Sequence, residues 1–203
     1  MKVVYVIGGM GSGKSTVMRL FEAQGASILD LDVLGHEVLK KKETKHELEE
    51  TFGSEVIDEQ GEVDRKTLAL KAFRTKENTD LLNGIMTKLI MELFQKRIEH
   101  ILKDNSDQTD LVVEVSAYNG PNGGFGGLAD MVIAVVAPEE LRIKRSIAHG
   151  FTEEDVRQRM RQQPSDEERI AWADFVILND VDEESLAQQV EDVWERLHYM
   201  SGR

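Results

Sequence analysis

The sequence contains no cysteine among its 203 residues. This absence excludes disulfide bonds, a thiol nucleophile and any cysteine-based metal site, and it fits a reducing cytoplasm. Long hydrophobic runs are also missing, because the longest, VVYVIGG and MVIAVVA, fall far short of the roughly 20 apolar residues in a membrane-spanning helix. The N-terminus leads into a strand-like run rather than a signal peptide. We therefore expect a soluble cytoplasmic protein with no membrane partner.

Positive charge is scarce, since the formal net charge is −13. This balance argues against a nucleic-acid partner, because such proteins usually neutralise phosphates with a basic face. Basic residues nevertheless gather in one segment, residues 142–163, which we call the basic island. Its members are Arg142, Lys144, Arg145, Arg157, Arg159 and Arg161. The island indicates either a small polyanionic ligand or a solvated helix face of mixed charge.

Strand-like and helical patterns alternate along the chain, which predicts an α/β fold with a mostly parallel sheet and helices on both faces. The predicted strands are residues 2–7, 26–32, 110–115, 131–137 and 174–178. Residues 33–103 are almost wholly helical in pattern and are expected to form a ligand-binding helical subdomain. Residues 118–127, YNGPNGGFGG, are expected to be irregular, as a flexible pocket rim or a surface loop. The closing helix, residues 182–200, should bury Leu186, Val190, Val193 and Leu197.

A glycine-rich turn follows the first predicted strand and precedes a helical run. Residues 8–15, GGMGSGKS, match the pattern G-x-x-x-x-G-K-[ST] of a nucleotide-binding P-loop. The glycines allow backbone N–H groups to surround a phosphate, Lys14 can reach the β and γ oxygens, and the Ser15 hydroxyl can bind Mg²⁺. The predicted ATP-binding residues of this loop are Gly9, Met10, Gly11, Ser12, Gly13, Lys14, Ser15 and Thr16.

Several classes of P-loop protein can be compared with this pattern. The DVLG stretch, residues 32–35, matches the D-x-x-G of GTPases, but it begins only 18 residues after Lys14. No [NT]-K-x-D guanine-reading motif occurs later, and the chain is short for an ATPase motor. The pattern therefore favours a small-molecule kinase, with a helical insert for the acceptor and an arginine-rich lid over ATP.

Two aspartates at the end of the second predicted strand are candidate acceptor-side residues. Asp30 and Asp32 alternate there, and ligands of parallel sheets bind at the carboxyl edge. Asp32 is expected to orient the acceptor hydroxyl, although both aspartates are also compatible with a helix-capping role. His36 would share its helix face. The lid candidates are Arg145, after the fourth strand, and Arg159, on a helix capped by Thr152.

Four segments together resemble the dephospho-coenzyme A kinase family. They are the P-loop itself, LDLDVLGHEV at residues 29–38, GEVDRKTLALKAF at residues 61–73, and RMRQQPSDEERIAWADFVILND at residues 159–180. The third segment is the most discriminating, because other P-loop kinases do not share it. The segments occur in the family's order and cover nearly the whole chain.

The resemblance implies a three-layer P-loop fold with five parallel strands, and ATP-dependent phosphorylation of the ribose 3′-hydroxyl of dephospho-coenzyme A. The core would comprise residues 1–32 and 104–203, with a lid near 142–163, and residues 33–103 would form the coenzyme A domain. ATP and Mg²⁺ would be required, and the protein would be a monomer or a weak homo-oligomer. The implied catalytic residues are Asp32, Lys14 and Arg145, with Arg159 also binding ATP. The implied acceptor-binding residues are Asp32, His36, Arg65 and Thr87.

The sequence departs from the family pattern at three places. Thr87-Lys88 stands where the family usually has His-Pro, SAYNG follows strand three in place of a Pro-Leu-Leu stretch, and His149 replaces a lid arginine. These departures leave two alternatives open. One is a related kinase with a different acceptor, and the other is a degenerate ATP-binding protein with a regulatory role.

Overall fold

The computed structural model describes residues 1–104 and 109–199. Two compact units divide the chain, one formed by Met1–Asp30 with Asn105–Arg203 and the other by Leu31–Asp104. In chain order the elements are β1 (Val3–Gly8), α1 (Lys14–Ala23), β2 (Ser27–Asp30), α2 (Leu31–Leu39), α3 (Lys42–Phe52), α4 (Arg65–Ala72), α5 (Lys76–Asp104), β3 (Leu111–Glu114), β4 (Met131–Val136), α6 (Glu139–Ala148), α7 (Glu153–Arg161), α8 (Asp166–Trp172), β5 (Phe175–Leu178) and α9 (Glu183–Tyr199).

The first unit contains a five-stranded sheet in the order β2-β3-β1-β4-β5, and every pairing is parallel. In the centre, Val6 of β1 lies between Glu114 of β3 and Ile133 of β4. Because the strands are parallel, the carboxyl ends of β1, β2 and β3 share one edge, where Asp30 pairs in register with Glu114. The predicted five-stranded parallel α/β fold is confirmed.

One face of this sheet is covered by α1 and α9. Val4 and Val6 point to that face because alternate residues of a strand share a side, and they join a core with Val17 and Phe21 of α1. From α9, the predicted inward residues are all buried: Leu186, Val190, Val193 and Leu197. The 3.6-residue spacing of α9 therefore identified its buried face correctly.

The opposite face carries an aromatic chain that reaches α8. Tyr5 contacts Tyr118 edge to face with ring centroids 6.1 Å apart, and Tyr118 contacts Trp172 in the same way at 5.9 Å. The segment after β3 contains turns and bends rather than regular structure, as predicted. Gly120 has a φ of +86°, and a β-carbon there would lie 3.0 Å from the Trp172 ring. A glycine is therefore needed for the segment to cross this ring.

The second unit consists of α2 to α5, with a core formed mainly by α3, α4 and the 3₁₀ helix Ser54–Val56 that lies between them. Leu48, Phe52, Val56, Leu68 and Ala72 are buried together. The helix α4 starts cleanly because the Asp64 side chain caps it, accepting hydrogen bonds from the N–H groups at 66 and 67. Across both described ranges, no helix combines the length and apolar character that a membrane span requires.

Candidate nucleotide-binding site

The turn from β1 into α1 has the backbone conformation of a phosphate cradle. Gly11 and Gly13 have φ values of +73° and +93°, which other residues adopt only with strain. Gly13 is the N-cap residue of α1 and offers no side chain to the first-turn N–H groups. These donors and the positive end of the helix dipole together favour an anion at this position.

Lys14 begins α1 and is only 9% exposed. Its Nζ donates to the Gly8 carbonyl oxygen at 3.1 Å and lies 3.7 Å from Glu114 Oε1. Glu114 ends β3 at the carboxyl edge, as Asp30 ends β2. Sequence reasoning did not single out Glu114, although the argument applied to the other strand-end carboxylates would have found it.

Side chains from distant parts of the chain hold the outer surface of the loop. Arg142 Nε donates to the Met10 carbonyl oxygen at 2.9 Å, and the Met10 N–H donates to Gln163 Oε1 at 3.0 Å. Asn179 Nδ2 donates to the Ser12 carbonyl oxygen at 2.8 Å. The loop is therefore fixed at both Met10 and Ser12 by three other segments of the same unit.

Arg142 belongs to a buried ion cluster behind the loop. Asp166 binds both Arg142 NH1 at 3.0 Å and Arg169 NH1 at 2.9 Å. Burial lowers the pKa of Arg169, and the Asp166 carboxylate opposes that shift. A β-carbon at Gly9 would overlap the Arg142 guanidinium, so this glycine allows the cluster to press against the loop backbone. Arg142 thus has a supporting position, which its place in the basic island did not reveal.

A cavity of about 520 Å³ opens in front of the cradle. Its lining includes Lys14 and Ser15 of the loop and, from α6 and the residue after it, Arg145 and His149. Arg145 donates from NH1 to the Asn179 carbonyl oxygen at 3.1 Å and from NH2 to Asn179 Oδ1 at 3.0 Å. The volume and the lysine and arginine side chains beside the loop suit the phosphate end of a nucleotide, and two carboxylates also line the cavity.

The remaining lid candidate, Arg159, lies elsewhere. It sits on α7, where its guanidinium is 5.2 Å from the centre of the Phe151 ring, and its side chain is exposed. Within the described part of the chain, the cavity lining does not include Arg159. The structure therefore brings Arg145, but not Arg159, together with the loop.

The predicted acceptor-side residues all lie in the second unit. Asp32 and His36 are exposed on α2, four residues apart on one helix face. Asp32 was expected at the end of a strand, but β2 ends at Asp30 and α2 begins at once with Leu31, so Asp32 lies in the first helical turn. Arg65 is the exposed first residue of α4, and Thr87 is half-buried on α5.

The cavity can also be tested for a magnesium ion. Ser15 lines it beside Lys14, and Mg²⁺ in nucleotide sites typically uses one or two protein oxygens together with phosphate oxygens and water. Among the residues that the structure describes, no group of three or more His, Asp or Glu side chains could hold a metal ion. The Ser15 hydroxyl is one such protein oxygen, so the cavity lining fits a magnesium ion bound mainly by nucleotide phosphates.

Comparison with known proteins agrees with this geometry. A family model described as dephospho-CoA kinase matches residues 2–185. The dephospho-CoA kinase of Corynebacterium diphtheriae is 33% identical over 201 residues, covering 97% of each chain. That of Aquifex aeolicus is 36% identical over 198 residues, covering 97% of this chain and 98% of its own.

Among solved structures, TT1252 from Thermus thermophilus superposes with a TM-score of 0.80 at 27% identity, with 97% of each chain covered. The likeness extends over both units, since the aligned relatives span nearly the whole chain. The phosphate cradle, the cavity in front of it and this full-length similarity lead to one conclusion: the chain belongs to the dephospho-CoA kinase family.

Proposed function

We propose that this kinase transfers the γ-phosphoryl group of ATP to the ribose 3′-hydroxyl of dephospho-CoA, giving CoA and ADP. The observation that carries the proposal is the cradle of Gly11, Gly13 and Lys14 facing a cavity that Arg145 also lines, in a chain of this family. We expect the reaction in the cytoplasm and a protein that works as a monomer or a weak homo-oligomer.

Phosphoryl transfer forms a bond from the acceptor oxygen to the γ-phosphorus and breaks the bond to the β–γ bridging oxygen. The acceptor hydroxyl loses its proton, and ADP leaves with the bridging oxygen. Lys14 is well situated to neutralise charge on the β and γ oxygens, because its buried ammonium lies at the start of α1. Arg145, which also lines the cavity, would add a second positive charge.

The Ser15 hydroxyl would hold Mg²⁺ together with phosphate oxygens. When bound, that ion supplies charge neutralisation between the β- and γ-phosphates. The residues of this chain would orient the nucleotide around it through the backbone N–H groups of the loop.

Asp32 would position the acceptor hydroxyl. A carboxylate is a weak base for an alcohol, so orientation of the hydroxyl is the larger contribution of Asp32. Proton transfer then comes late in a loose transition state. The helical unit, Leu31–Asp104, would bind the acceptor through His36, Arg65 and Thr87, and Arg159 would belong to a lid over the nucleotide.

The direct test mixes the purified protein with Mg-ATP and dephospho-CoA, and follows both ADP release and the mass of the acceptor. AMP, CMP and adenosine serve as parallel acceptors. Transfer to dephospho-CoA alone is the expected result. Transfer to another acceptor instead would reject the proposed substrate and would indicate that Thr87-Lys88 belongs to a pocket for that acceptor. ATP binding without any transfer would identify a regulatory protein.

Variants locate the chemistry. Asp32→Asn should lower kcat severely while ATP affinity stays nearly unchanged, because Asp32 acts on the acceptor. Lys14→Ala should impair both ATP affinity and kcat. The exposed Asp192→Asn on α9 is the matched control and should behave like the wild type. Unchanged turnover by Asp32→Asn would remove Asp32 from the mechanism.

A further inference from the structure

Asn179 connects the phosphate loop to Arg145. Its backbone follows β5 and its N–H donates to the Val136 carbonyl oxygen at 2.8 Å, which fixes the residue at the end of the sheet. Asn179 is 7% exposed. From this position its amide group bridges Ser12 of the loop, at 2.8 Å, and the Arg145 guanidinium, at 3.0 Å.

The two ends of the amide have different tasks. The NH₂ group faces the Ser12 carbonyl oxygen, which only accepts hydrogen bonds, and the amide oxygen faces a guanidinium, which only donates. The reverse orientation would place two donors together and two acceptors together. An asparagine therefore suits both partners at once, whereas an aspartate would oppose a carboxylate oxygen to the Ser12 carbonyl.

Arg145 is held by two oxygens of the same residue. Its NH1 binds the Asn179 backbone oxygen at 3.1 Å, and its NH2 binds Oδ1, so the planar guanidinium is fixed in orientation as well as in place. A long flexible side chain loses rotamer entropy when it is ordered. Asn179 orders the Arg145 side chain before the nucleotide binds, so that its charge is already preorganised in the cavity.

Gly13 makes room for this arrangement. A β-carbon at residue 13 would overlap Asn179 Nδ2 and would lie 3.8 Å from Arg145 NH1. The glycine thus allows the positive φ of the cradle and also allows the Asn179 amide to approach the loop backbone.

We propose that Asn179 is a positioning residue that fixes the Arg145 guanidinium against the phosphate loop, so that its charge meets the nucleotide phosphates already oriented. The proposal rests on the proposed function, because Arg145 is taken to act on transferred phosphate. Asn179 itself lines the cavity, but the role proposed for it is exerted through Arg145.

A double-mutant cycle tests this coupling. The four proteins are the wild type, Asn179→Ala, Arg145→Ala and the double variant, each measured for kcat at saturating substrates and for ATP affinity by calorimetry. If Asn179 acts through Arg145, Asn179→Ala should lower kcat about tenfold in the wild-type background, and less than twofold once Arg145 is absent. Equal losses in both backgrounds, or no loss in either, would overturn the proposal.

Gln189 provides a matched control in the same unit. Its side-chain amide also clamps a residue at the end of β5, accepting from the Leu178 N–H at 2.9 Å and donating to the Leu178 carbonyl oxygen at 2.9 Å. Gln189→Ala should therefore loosen the end of β5 without moving kcat by more than about twofold. A kcat loss matching that of Asn179→Ala would show that any weakening of β5 suffices, and would also overturn the proposal.

Two further arms keep the result interpretable. Asn179→Ser, which is polar but too short to reach both partners, replaces the alanine variant if that variant does not fold, as judged by its thermal unfolding. The cycle in ATP affinity needs no acceptor. If dephospho-CoA is not phosphorylated by the wild type but the coupling in ATP affinity persists, the proposed function fails and the role of Asn179 stands.

Discussion

Replacement of Glu114 by glutamine should destabilise the ATP-free protein. The variant should bind ATP at least as tightly as the wild type does. Glu114 Oε1 lies 3.7 Å from the Lys14 ammonium, and their side chains are only 14% and 10% exposed. At this distance, with an effective dielectric constant of about 20, the Coulomb attraction is about 4.5 kcal/mol. Glutamine keeps the shape of the side chain and a dipole near Lys14, and Lys14 keeps its hydrogen bond to the Gly8 carbonyl oxygen. Because these interactions remain, we expect a smaller loss, of about 2 to 3 kcal/mol of unfolding free energy.

Such a loss should lower the unfolding temperature by roughly 4 to 12 °C in a chain of this size. ATP reverses part of the defect, because the γ-phosphate supplies the negative charge that Lys14 has lost. The ATP-induced rise in unfolding temperature should therefore be larger in Glu114→Gln than in the wild type.

The assay is thermal unfolding by circular dichroism with and without Mg-ATP, together with calorimetric ATP titration at low salt. The exposed Glu22→Gln on α1 is the control for loss of one negative charge in this unit and should unfold like the wild type. An unchanged unfolding temperature for Glu114→Gln, or clearly weaker ATP binding, would refute the account of Glu114 as the resting partner of Lys14.

Three further predictions concern the core, the helical unit and the loop support. Phe21→Ala removes a fully buried ring that also contacts Trp194, and urea unfolding should show a loss of about 3 to 5 kcal/mol. The hydrogen bond from the Thr67 hydroxyl is the chief cause that lowers the pKa of Asp64 in the folded protein. The ionised carboxylate therefore stabilises the fold above about pH 4, and this stabilisation is lost as the pH falls through the lower folded-state pKa. The stability advantage of the wild type over Asp64→Asn, measured by urea unfolding between about pH 3 and pH 7, should shrink at the acidic end. Gln163→Ala leaves the Met10 N–H without its side-chain acceptor and should weaken ATP binding about three- to tenfold by calorimetry, whereas unchanged affinity would show that this support is dispensable.

The features predicted well from the sequence are those determined by residues that are close together in the chain. A β-branched run, a glycine-rich turn and a helical pattern lie within the first 23 residues, and together they determine β1, the cradle and α1. The buried face of α9 likewise follows from spacing within a single helix. Asp32 shows the limit, because the pattern did not reveal that α2 begins at Leu31, without a connecting residue after β2.

The support behind the loop could not be predicted, because its partners are far apart in sequence. Arg142 is 132 residues from Met10, and Asn179 is 167 residues from Ser12. Composition grouped Arg142 with the other arginines of the basic island, yet pairing with Asp166 and the Met10 carbonyl allows it to be 7% exposed. Only the fold distinguishes an arginine that supports the loop from one that lines the cavity.

The hydrogen bonds of the loop explain why cations collect there in an acidic protein. A backbone that turns its N–H groups toward an anion turns its carbonyl oxygens the other way, and buried carbonyl oxygens require donors. The donors are the side chains of Lys14, Arg142 and Asn179, which donate to the carbonyl oxygens of Gly8, Met10 and Ser12 respectively. One of these donors, Lys14, is charged and also lines the cavity, so the group that satisfies a loop carbonyl also places positive potential at the front of the loop. Neutral donors of equal geometry would preserve the loop's shape and still lower its affinity for phosphate.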